Sequence, residues 1–426
     1  GNKQSDTASG GGAGGTGNND GSKGTAASGT FTISTSDCDY QPTVGITDSE
    51  IKIGSSFPQA GLYSAFAEIS KGWKAYFDYV NDQGGINGKK ITIVTKNDDY
   101  ESAKTKTNAQ ELIDKDKVFA LFNLVGTPNN LGIRSDMNEA CVPNLFAATG
   151  SQLLGNPEKY PWTIGSIPSY ATEAATFAEY LKKNKPNAKV GILRQNDDFG
   201  EGYADAFKKA IEGSNVTLVG EETYQPGETN VTSQITKLNS AGADALLLAV
   251  TTLTCPNAMT AVKGIQGWDP LTYVSATCAS KVLIGAAGDA AIGVLTSVYL
   301  KDPLNPKWAD DAGVKEYKEI GSKYGLTDKD FENGVVEYGW VAGQMLVETL
   351  KKATALDRKS VMERAYTLDM SSPQLLPGVA VKTDGVADPY PIESLQIGKW
   401  QGQYFELQGE VIDYEGKTNQ FVPKKS

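Results

Sequence analysis

The chain alternates two kinds of apolar pattern along most of its length. Short runs of consecutive apolar residues alternate with longer segments in which apolar residues recur every three or four positions. The short runs are typical of strands buried on both faces of a parallel sheet, and the longer period indicates helices with one apolar face. In residues 64–83, for example, Phe66, Ile69 and Trp73 begin such a stripe, and Gly84 follows where the predicted helix ends.

This alternation occurs twice, in arrays of similar size. The first array predicts strands at 51–57, 90–96, 118–124, 144–148 and 162–167. The second array predicts strands at 189–195, 216–224, 243–250, 271–276 and 292–300, with helices near 170–184, 201–213, 230–240 and 256–266. Two such arrays predict an α/β fold with two doubly wound parallel-sheet lobes.

The last part of the chain must complete these lobes. Helices are predicted near 310–324, 334–353 and 358–368, whereas residues 378–410 alternate as a pair of hairpins does. We therefore expect a hinge that the chain crosses more than once. The expected limits are 48–167 plus about 300–377 for lobe 1, and 168–299 plus about 378–426 for lobe 2.

Residues 1–47 are expected to form a flexible tether and lead-in rich in Gly, Ser and Asn. The first thirty residues contain ten Gly and none of Val, Ile, Leu, Met, Phe, Trp or Tyr. Such a segment cannot bury enough apolar area to offset its ordering entropy, so we expect disorder. The opening at Gly1 resembles a bacterial lipoprotein whose signal peptide and lipidated Cys have been removed, and an artificial linker is the alternative.

The charge balance and one missing residue type narrow the function classes. Of 426 residues, 40 are Lys or Arg and 51 are Asp or Glu, which gives a net charge of −11. This balance argues against nucleic-acid partners and against adhesion to anionic lipid, because both need a positive field. The chain has no His, which removes His-based acid–base catalysis, His-activated nucleophiles and His-ligated metals. We expect no cofactor and no metal, although enzymes that use Lys or carboxylates are left open.

Four short motifs carry a family resemblance. Residues 51–61 read IKIGSSFPQAG, residues 81–91 read NDQGGINGKKI, residues 97–99 read NDD and residues 196–202 read NDDFGEG. In order and spacing they resemble motifs of type I periplasmic-binding proteins, especially the branched-chain amino acid type (Leu/Ile/Val-binding protein-like) that serves ABC transporters. The resemblance covers residue 48 to about 410. It implies the type I periplasmic-binding-protein fold and a ligand held between the lobes.

In such a fold, ligands bind at the carboxyl ends of the parallel strands, in the cleft between the lobes. After the third strand, Thr127 and Pro128 suit the start of a helix, and Gly126 lets a ligand approach the backbone. Ala148 and Thr149 follow the fourth strand. The resemblance implies that Gly126, Thr127, Ala148 and Thr149 bind a ligand's α-carboxylate, and a plain helix cap is the alternative for Thr127 and Pro128.

The partner of a ligand amine is harder to find. Amino acid-binding members of the family have an acid after the fourth strand of lobe 2, but residues 273–280 contain none. An ammonium buried without a partner would be costly, and Asp197, Asp198 or Glu337 are the candidate substitutes. We therefore expect a carboxylic acid, an amide or another neutral polar molecule as readily as an α-amino acid.

Residues at the remaining predicted cleft edges complete the expected site. Aromatic walls with a few polar groups are typical of small-molecule clefts, and ordinary packing is the alternative for each aromatic residue. The expected aromatic contacts are Tyr63, Tyr170, Phe199, Tyr338 and Trp340, and the further expected ligand-binding residues are Gln59, Thr252, Ala276 and Thr277.

The four cysteines, Cys38, Cys141, Cys255 and Cys278, are expected to form two disulfides of an exported protein. Three pairings are possible, and four buried free thiols in a cytosolic protein are the alternative. The strand map favours Cys255–Cys278, because these residues follow strands that are neighbours if the sheet has the expected order. Cys38–Cys141 would then join the lead-in to lobe 1.

We expect an extracytoplasmic solute-binding protein of an ABC importer, monomeric and lipid-anchored, that closes on a small polar molecule and docks on ABC permease subunits. The alternative is a sensory or regulatory ligand-binding module that signals to a separate partner chain. A carboxylate enzyme using Asp98 and Asp99, or Asp197 and Asp198, is disfavoured because adjacent side chains need not converge. Because His is absent, binding should change little between about pH 6 and 8.

Overall fold

Two separate β-sheets carry the fold, as the two arrays in the sequence predict. The computed structural model describes residues 24–27 and 30–424, so most of the expected tether lies outside the described residues. Strand β1 (Gly24–Ala27) falls within the segment expected to be disordered and pairs antiparallel with β2 (Thr30–Ile33). Packing against the first lobe stabilises β2, because Phe31 and Ile33 are buried in the core of that lobe. The composition of the segment does not reveal this packing.

The lead-in that follows is fastened to the first lobe at several points. Cys38 is bonded to Cys141, as the sequence predicts. The guanidinium of Arg358 donates hydrogen bonds to the carbonyl oxygens of Gln41, at 3.1 Å, and Val118, at 2.8 Å. These contacts join the lead-in, a helix late in the chain and the segment that leads into β5 of the first sheet.

The first sheet is entirely parallel, and its order is β4-β3-β5-β6-β7. Its strands are β3 (Glu50–Phe57), β4 (Lys90–Asn97), β5 (Ala120–Phe122), β6 (Asn144–Ala147) and β7 (Thr163–Gly165). The helices of this part of the chain are α1 (Ile69–Asp82), α2 (Ser102–Asp114), α3 (Thr127–Leu131) and α4 (Arg134–Ala140). Near-continuous apolar strands such as β5 and β6 are fully buried, which is the environment their sequence predicts.

The second sheet is built in the same way from the second array. Its parallel strands are β8 (Lys189–Gln195), β9 (Thr217–Tyr224), β10 (Ala245–Ala249), β11 (Leu271–Val274) and β12 (Leu295–Val298). The accompanying helices are α5 (Tyr170–Asn184), α6 (Asp198–Ala210), α7 (Thr232–Ser240), α8 (Thr254–Lys263) and α9 (Lys281–Ile284). Because β10 and β11 are neighbours, the loops after them meet, and the predicted Cys255–Cys278 disulfide is present there.

The chain then returns to the first lobe. Helices α10 (Ala312–Lys323), α11 (Asp328–Phe331), α12 (Gly334–Lys352) and α13 (Arg358–Ala365) follow one another. Helix α12 lies directly against α1, and glycines make this contact close: a Cβ on Gly339 would lie 2.0 Å from the Ile69 carbonyl oxygen, and one on Gly72 would lie 1.9 Å from that of Val336. Side chains of α12 such as Val341 and Met345 are therefore buried in the first core.

The final segment crosses to the second sheet. A short ribbon pairs β13 (Asp369–Met370) with β14 (Val381–Lys382), and the predicted hairpin is β15 (Leu395–Trp400) with β16 (Phe405–Ile412). Strand β15 pairs antiparallel with β12, so the second sheet has the order β16-β15-β12-β11-β10-β8-β9. Val381 and Ile392 pack in the first core, so the chain reaches the second sheet only at β15, later than the expected limit near residue 378.

Across residues 24–27 and 30–424, the structure contains no helix that has both the length and the apolar character needed to span a bilayer.

Candidate ligand-binding site

A cavity of about 150 Å³ lies between the lobes, at the carboxyl ends of strands from both sheets. An apolar cavity of about this volume holds a molecule of the size of benzene. Gly126 and Ala148 line it from the first lobe, Phe199 and Thr277 from the second, and Tyr299 from the crossing after β12. The site therefore lies where the fold class predicts it.

Eight of the thirteen predicted ligand-binding residues line this cavity. They are Gly126, Thr127, Ala148, Tyr170, Phe199, Ala276, Thr277 and Tyr338. Their contact with a ligand stays a prediction.

The other five predicted residues lie outside the cavity wall, for different reasons. Gln59 is exposed, and Thr149 lies behind Thr127, with 2.7 Å between their hydroxyl oxygens. The hydroxyl of Thr252 donates to the carbonyl of the preceding residue. Trp340 packs against Tyr76 and Tyr317 in a separate small core. Tyr63 lies at the contact between the lobes, described below.

Thr127 and Thr149, which were expected to bind a carboxylate of the ligand, already contact a side chain of the protein. The hydroxyls of Thr127 and Thr149 lie near the phenol of Tyr170, which is buried at 2% exposure. Burial raises the pKa of Tyr170, and hydrogen bonds from the Gly150 backbone and the two threonines partly offset that effect. The ring of Tyr170 also meets Phe199 edge to face, with 5.3 Å between centroids. This end of the cavity therefore consists of three hydroxyl groups covered by the aromatic rings of Tyr170 and Phe199.

Glu173, which was not predicted from the sequence, supplies a carboxyl group to the part of the cavity wall formed by the second lobe. Its carboxylate accepts hydrogen bonds from the hydroxyls of Tyr203 (2.7 Å) and Tyr273 (2.8 Å) and from the backbone N–H of Ala276 (2.9 Å). Glu173 lines the cavity and is 1% exposed, and this burial raises its pKa to about 7. It comes from the first turn of α5, so a search confined to strand ends could not find it. Its only sequence signal is the N-cap Ser169 four residues earlier.

Three further acids, Glu337, Asp302 and Glu332, line the cavity. Glu337, one of the three candidate substitutes for the missing acid, is fully buried on α12, and its Oε2 atom has no hydrogen-bond partner. Burial and then the neighbouring Asp302 raise the pKa of Glu337 well above its ordinary value. Burial also raises the pKa of Asp302 to about 6. Among the lining residues, Lys281 is the one basic side chain, and its Nζ lies 3.8 Å from Glu332.

Asp197 and Asp198, the other two candidate substitutes, do not line the cavity. Asp197 caps α6 by accepting from the backbone N–H groups of Phe199 and Gly200. Of the acids considered for catalysis, Asp98 also lies elsewhere. It is buried and accepts from the hydroxyls of Ser56 (2.7 Å) and Thr105 (2.9 Å).

The lobes contact each other across the cleft mouth. The phenol of Tyr63 in the first lobe donates to Gln195 Oε1 in the second (2.7 Å) and accepts from the backbone N–H of Gly227 (2.9 Å). The Tyr63 ring stacks on Tyr100, with 4.2 Å between centroids, and Tyr100 lines the cavity. These bonds hold the lobes together over the cavity, so the conformation is closed.

Comparisons with known proteins agree with this geometry. Residues 50–401 match the family described as periplasmic binding protein. The Leu/Ile/Val-binding protein homolog 3 of Brucella melitensis is 28% identical over 213 residues, which are 49% of this chain and 57% of that protein.

Two solved structures share the fold. A branched chain amino acid ABC transporter protein from Thermus thermophilus with bound valine has a TM-score of 0.77 at 20% identity, covering 86% of this chain and 97% of that one. A solute binding protein of an ABC transporter from Rhodopseudomonas palustris, in complex with 3,4-dihydroxy benzoic acid, has a TM-score of 0.73 at 20% identity, covering 86% and 98%.

The chain therefore belongs to the periplasmic binding protein family. The resemblance of its motifs to the branched-chain amino acid type is confirmed, and so is the type I fold.

Proposed function

We propose that this protein is an extracytoplasmic solute-binding protein of an ABC importer, and that its ligand is a small, mostly apolar molecule with an amine group. The single observation that carries the proposal is the cavity between the lobes, in which carboxyl groups outnumber the one basic side chain. Docking on a permease, a monomeric state and a lipid anchor belong to the same proposal.

The acids of the cavity favour a ligand that donates hydrogen bonds. Four acids line it, and the one basic lining residue, Lys281, pairs with one of them, Glu332, which leaves Glu173, Glu337 and Asp302 without a basic partner in the wall. A ligand whose only charge is a carboxylate would lose its hydration among these groups without gaining a cation, which is costly, whereas an amino acid also brings an ammonium. An ammonium, or the N–H groups of an amide, would find acceptors, and Glu337 Oε2 has no partner inside the protein. Amino acids and amides are therefore favoured over simple carboxylic acids.

The rest of the wall favours an apolar body of limited size. Phe66, Tyr100, Phe199 and Trp308 are aromatic lining residues, and Ile69 is an aliphatic one. Rings and branched chains pack well against such a surface. A branched-chain or aromatic side chain therefore suits the cavity better than a sugar does.

The test uses matched ligand pairs. Thermal unfolding would be measured with leucine, with phenylalanine and with their amides. Each would be compared with the carboxylic acid of the same side chain that lacks the amine. Native mass spectrometry would detect any retained ligand. We expect an amine-bearing compound to raise the melting temperature, since a ligand at about 100 times its Kd stabilises by about 2.7 kcal/mol. The proposal fails if no compound shifts the melting temperature, or if only the acids without an amine do.

A further inference from the structure

Three carboxyl groups, two of them buried, meet outside the ligand cavity. Asp388, Glu393 and Glu415 each offer a carboxylate oxygen, and these three oxygens lie within 4.8 Å of one another. Asp388 is 8% exposed and Glu393 is 1% exposed, while Glu415 is half-buried. None of the three lines the cavity between the lobes.

Two oxygens of this carboxylate cluster have no partner. Glu393 is satisfied by the N–H of Gly416 (2.8 Å) and by the hydroxyl of Thr418 (2.6 Å). In contrast, Asp388 Oδ1 and Glu415 Oε1 are buried without any hydrogen-bond donor. Among the described residues, no Lys or Arg forms an ion pair with any of the three acids. Buried negative charges in this arrangement need a cation or a proton to be stable.

We propose that the carboxylate cluster of Asp388, Glu393 and Glu415 binds a divalent hard cation, with Ca²⁺ as the expected ion. All the available ligand atoms are oxygens, which is the donor set that Ca²⁺ and Mg²⁺ prefer, and no His or Cys belongs to the cluster. Ca²⁺ accepts irregular geometry and takes carboxylates in one- or two-oxygen contacts, whereas Mg²⁺ demands near-ideal octahedral geometry. The two unpartnered oxygens are the atoms such an ion would satisfy.

The position of the cluster gives the ion a structural role. Asp388 and Glu393 lie on the last crossing between the lobes, before β15, and Glu415 follows β16. Tyr390, between the two crossing acids, donates to the Gln152 carbonyl in the first lobe (2.8 Å), and the Tyr414 hydroxyl lies 2.9 Å from that of Thr176 in the second. A cation would therefore hold the chain after β16 to the crossing at a point bonded to both lobes.

The test uses the whole protein freed of metal with a chelator. Millimolar Ca²⁺, Mg²⁺ or Mn²⁺ would be added singly, with thermal unfolding and calorimetric titration as readouts. Tb³⁺ luminescence excited through tyrosine gives an independent readout, because Tyr390 and Tyr414 are sequence neighbours of the ligand residues. We expect Ca²⁺ to raise the melting temperature by several degrees, to exceed Mg²⁺ in this effect, and to displace Tb³⁺.

Variants locate the site. The double substitution Asp388→Asn with Glu415→Gln removes two of the three charges and should abolish the Ca²⁺-dependent shift and the Tb³⁺ signal. The control, Asp310→Asn with Glu319→Gln, removes two exposed charges elsewhere and should keep both. The proposal is overturned if the wild-type melting temperature ignores all three cations, which would mean that the acids share protons instead. It is also overturned if the response survives in the cluster variant.

Discussion

Glu173 is buried beside two phenols, and this environment moves its titration to the neutral range. Its pKa of about 7 replaces the expectation, based on the absence of His, that binding ignores pH between about 6 and 8. An amine ligand binds best to the ionised carboxylate. Its affinity should therefore rise with pH through this range, by at most about tenfold per pH unit below the pKa.

The substitution Glu173→Gln should reduce this pH dependence, leaving the part due to Asp302, and should weaken binding of the amine ligand found in the panel. Titration calorimetry at several pH values measures both effects. Glu179→Gln, on the exposed face of the same helix, should behave like the wild type. An affinity that falls as pH rises would mean that the ligand prefers the protonated acid, and the amine assignment would be wrong.

At neutral pH, Glu337 should lower the stability of the ligand-free protein. Its folded-state pKa lies well above the unfolded value, so its contribution is complete below the unfolded pKa and is lost as pH rises toward the folded one. Glu337→Gln should therefore raise the free energy of unfolding by about 1–3 kcal/mol at about pH 8, with a smaller gain at about pH 5. Urea unfolding at both pH values measures this, with Glu348→Gln as the control. An equal change at both pH values would contradict it.

Positions on the cavity wall were most readily predicted where the sequence places a residue soon after a strand. Thr127 and Ala148 follow β5 and β6, so strand order alone brings them to the cavity. Glu173 comes from a helix, and its contact with Ala276 depends on packing across the second lobe. Tyr63 follows β3 as predicted, yet closure of the lobes directs its hydroxyl to Gln195, and no local pattern reports closure.

At the scale of elements, the contact between α1 and α12 is set by residues without side chains. Gly339→Ala would normally favour a helix, but here the new Cβ would lie 2.0 Å from the Ile69 carbonyl oxygen. We expect a loss of about 1–3 kcal/mol of stability because the helices must move apart. Gly264→Ala, at an exposed helix end whose nearest atoms are 3.4 Å from a new Cβ, is the control.

Chemical denaturation of the two variants measures the difference. A Gly339→Ala protein as stable as the wild type would show that the interhelix contact adjusts without cost. A loss of similar size in both variants would show that the effect is not specific to the contact between α1 and α12.

Most element types were predicted, because the strands are runs of consecutive apolar residues and the helices repeat apolar residues every three or four positions, but element ends were not. The third predicted strand spans 118–124, whereas β5 is only Ala120–Phe122. Asn123 follows with a φ of 54°, and its side-chain amide donates to the Phe146 carbonyl and the Tyr338 hydroxyl. A left-handed residue held by partners distant in sequence ends the strand, and an apolar pattern contains no trace of it.

At the scale of the whole molecule, Tyr63 links closure to affinity without lining the cavity. Tyr63→Phe removes one hydrogen bond to Gln195 and one from Gly227. Losing about 1–2 kcal/mol of closed-state stability should weaken ligand binding about 5- to 30-fold. At a ligand concentration that closes the wild type, small-angle scattering should show a larger radius of gyration for Tyr63→Phe than for the wild type.

Tyr79→Phe, on the outer part of the first lobe, is the control and should leave both measurements unchanged. If Tyr63→Phe binds as tightly as the wild type, the bonds at the cleft mouth do not stabilise closure. If its affinity falls but its radius does not change, Tyr63 acts on the ligand through Tyr100 instead of through the hinge.

The fastening of the lead-in has a mechanical consequence. Phe31 in the first core, the Cys38–Cys141 bond and the Arg358 hydrogen bond to Gln41 all join the chain's beginning to one lobe. A pulling force applied before residue 30 would therefore be borne by the first lobe, and none of these contacts passes it to the second. The second lobe could swing freely while the first is held, so a molecule restrained at its N-terminal side would open and close with the same energy as one in free solution.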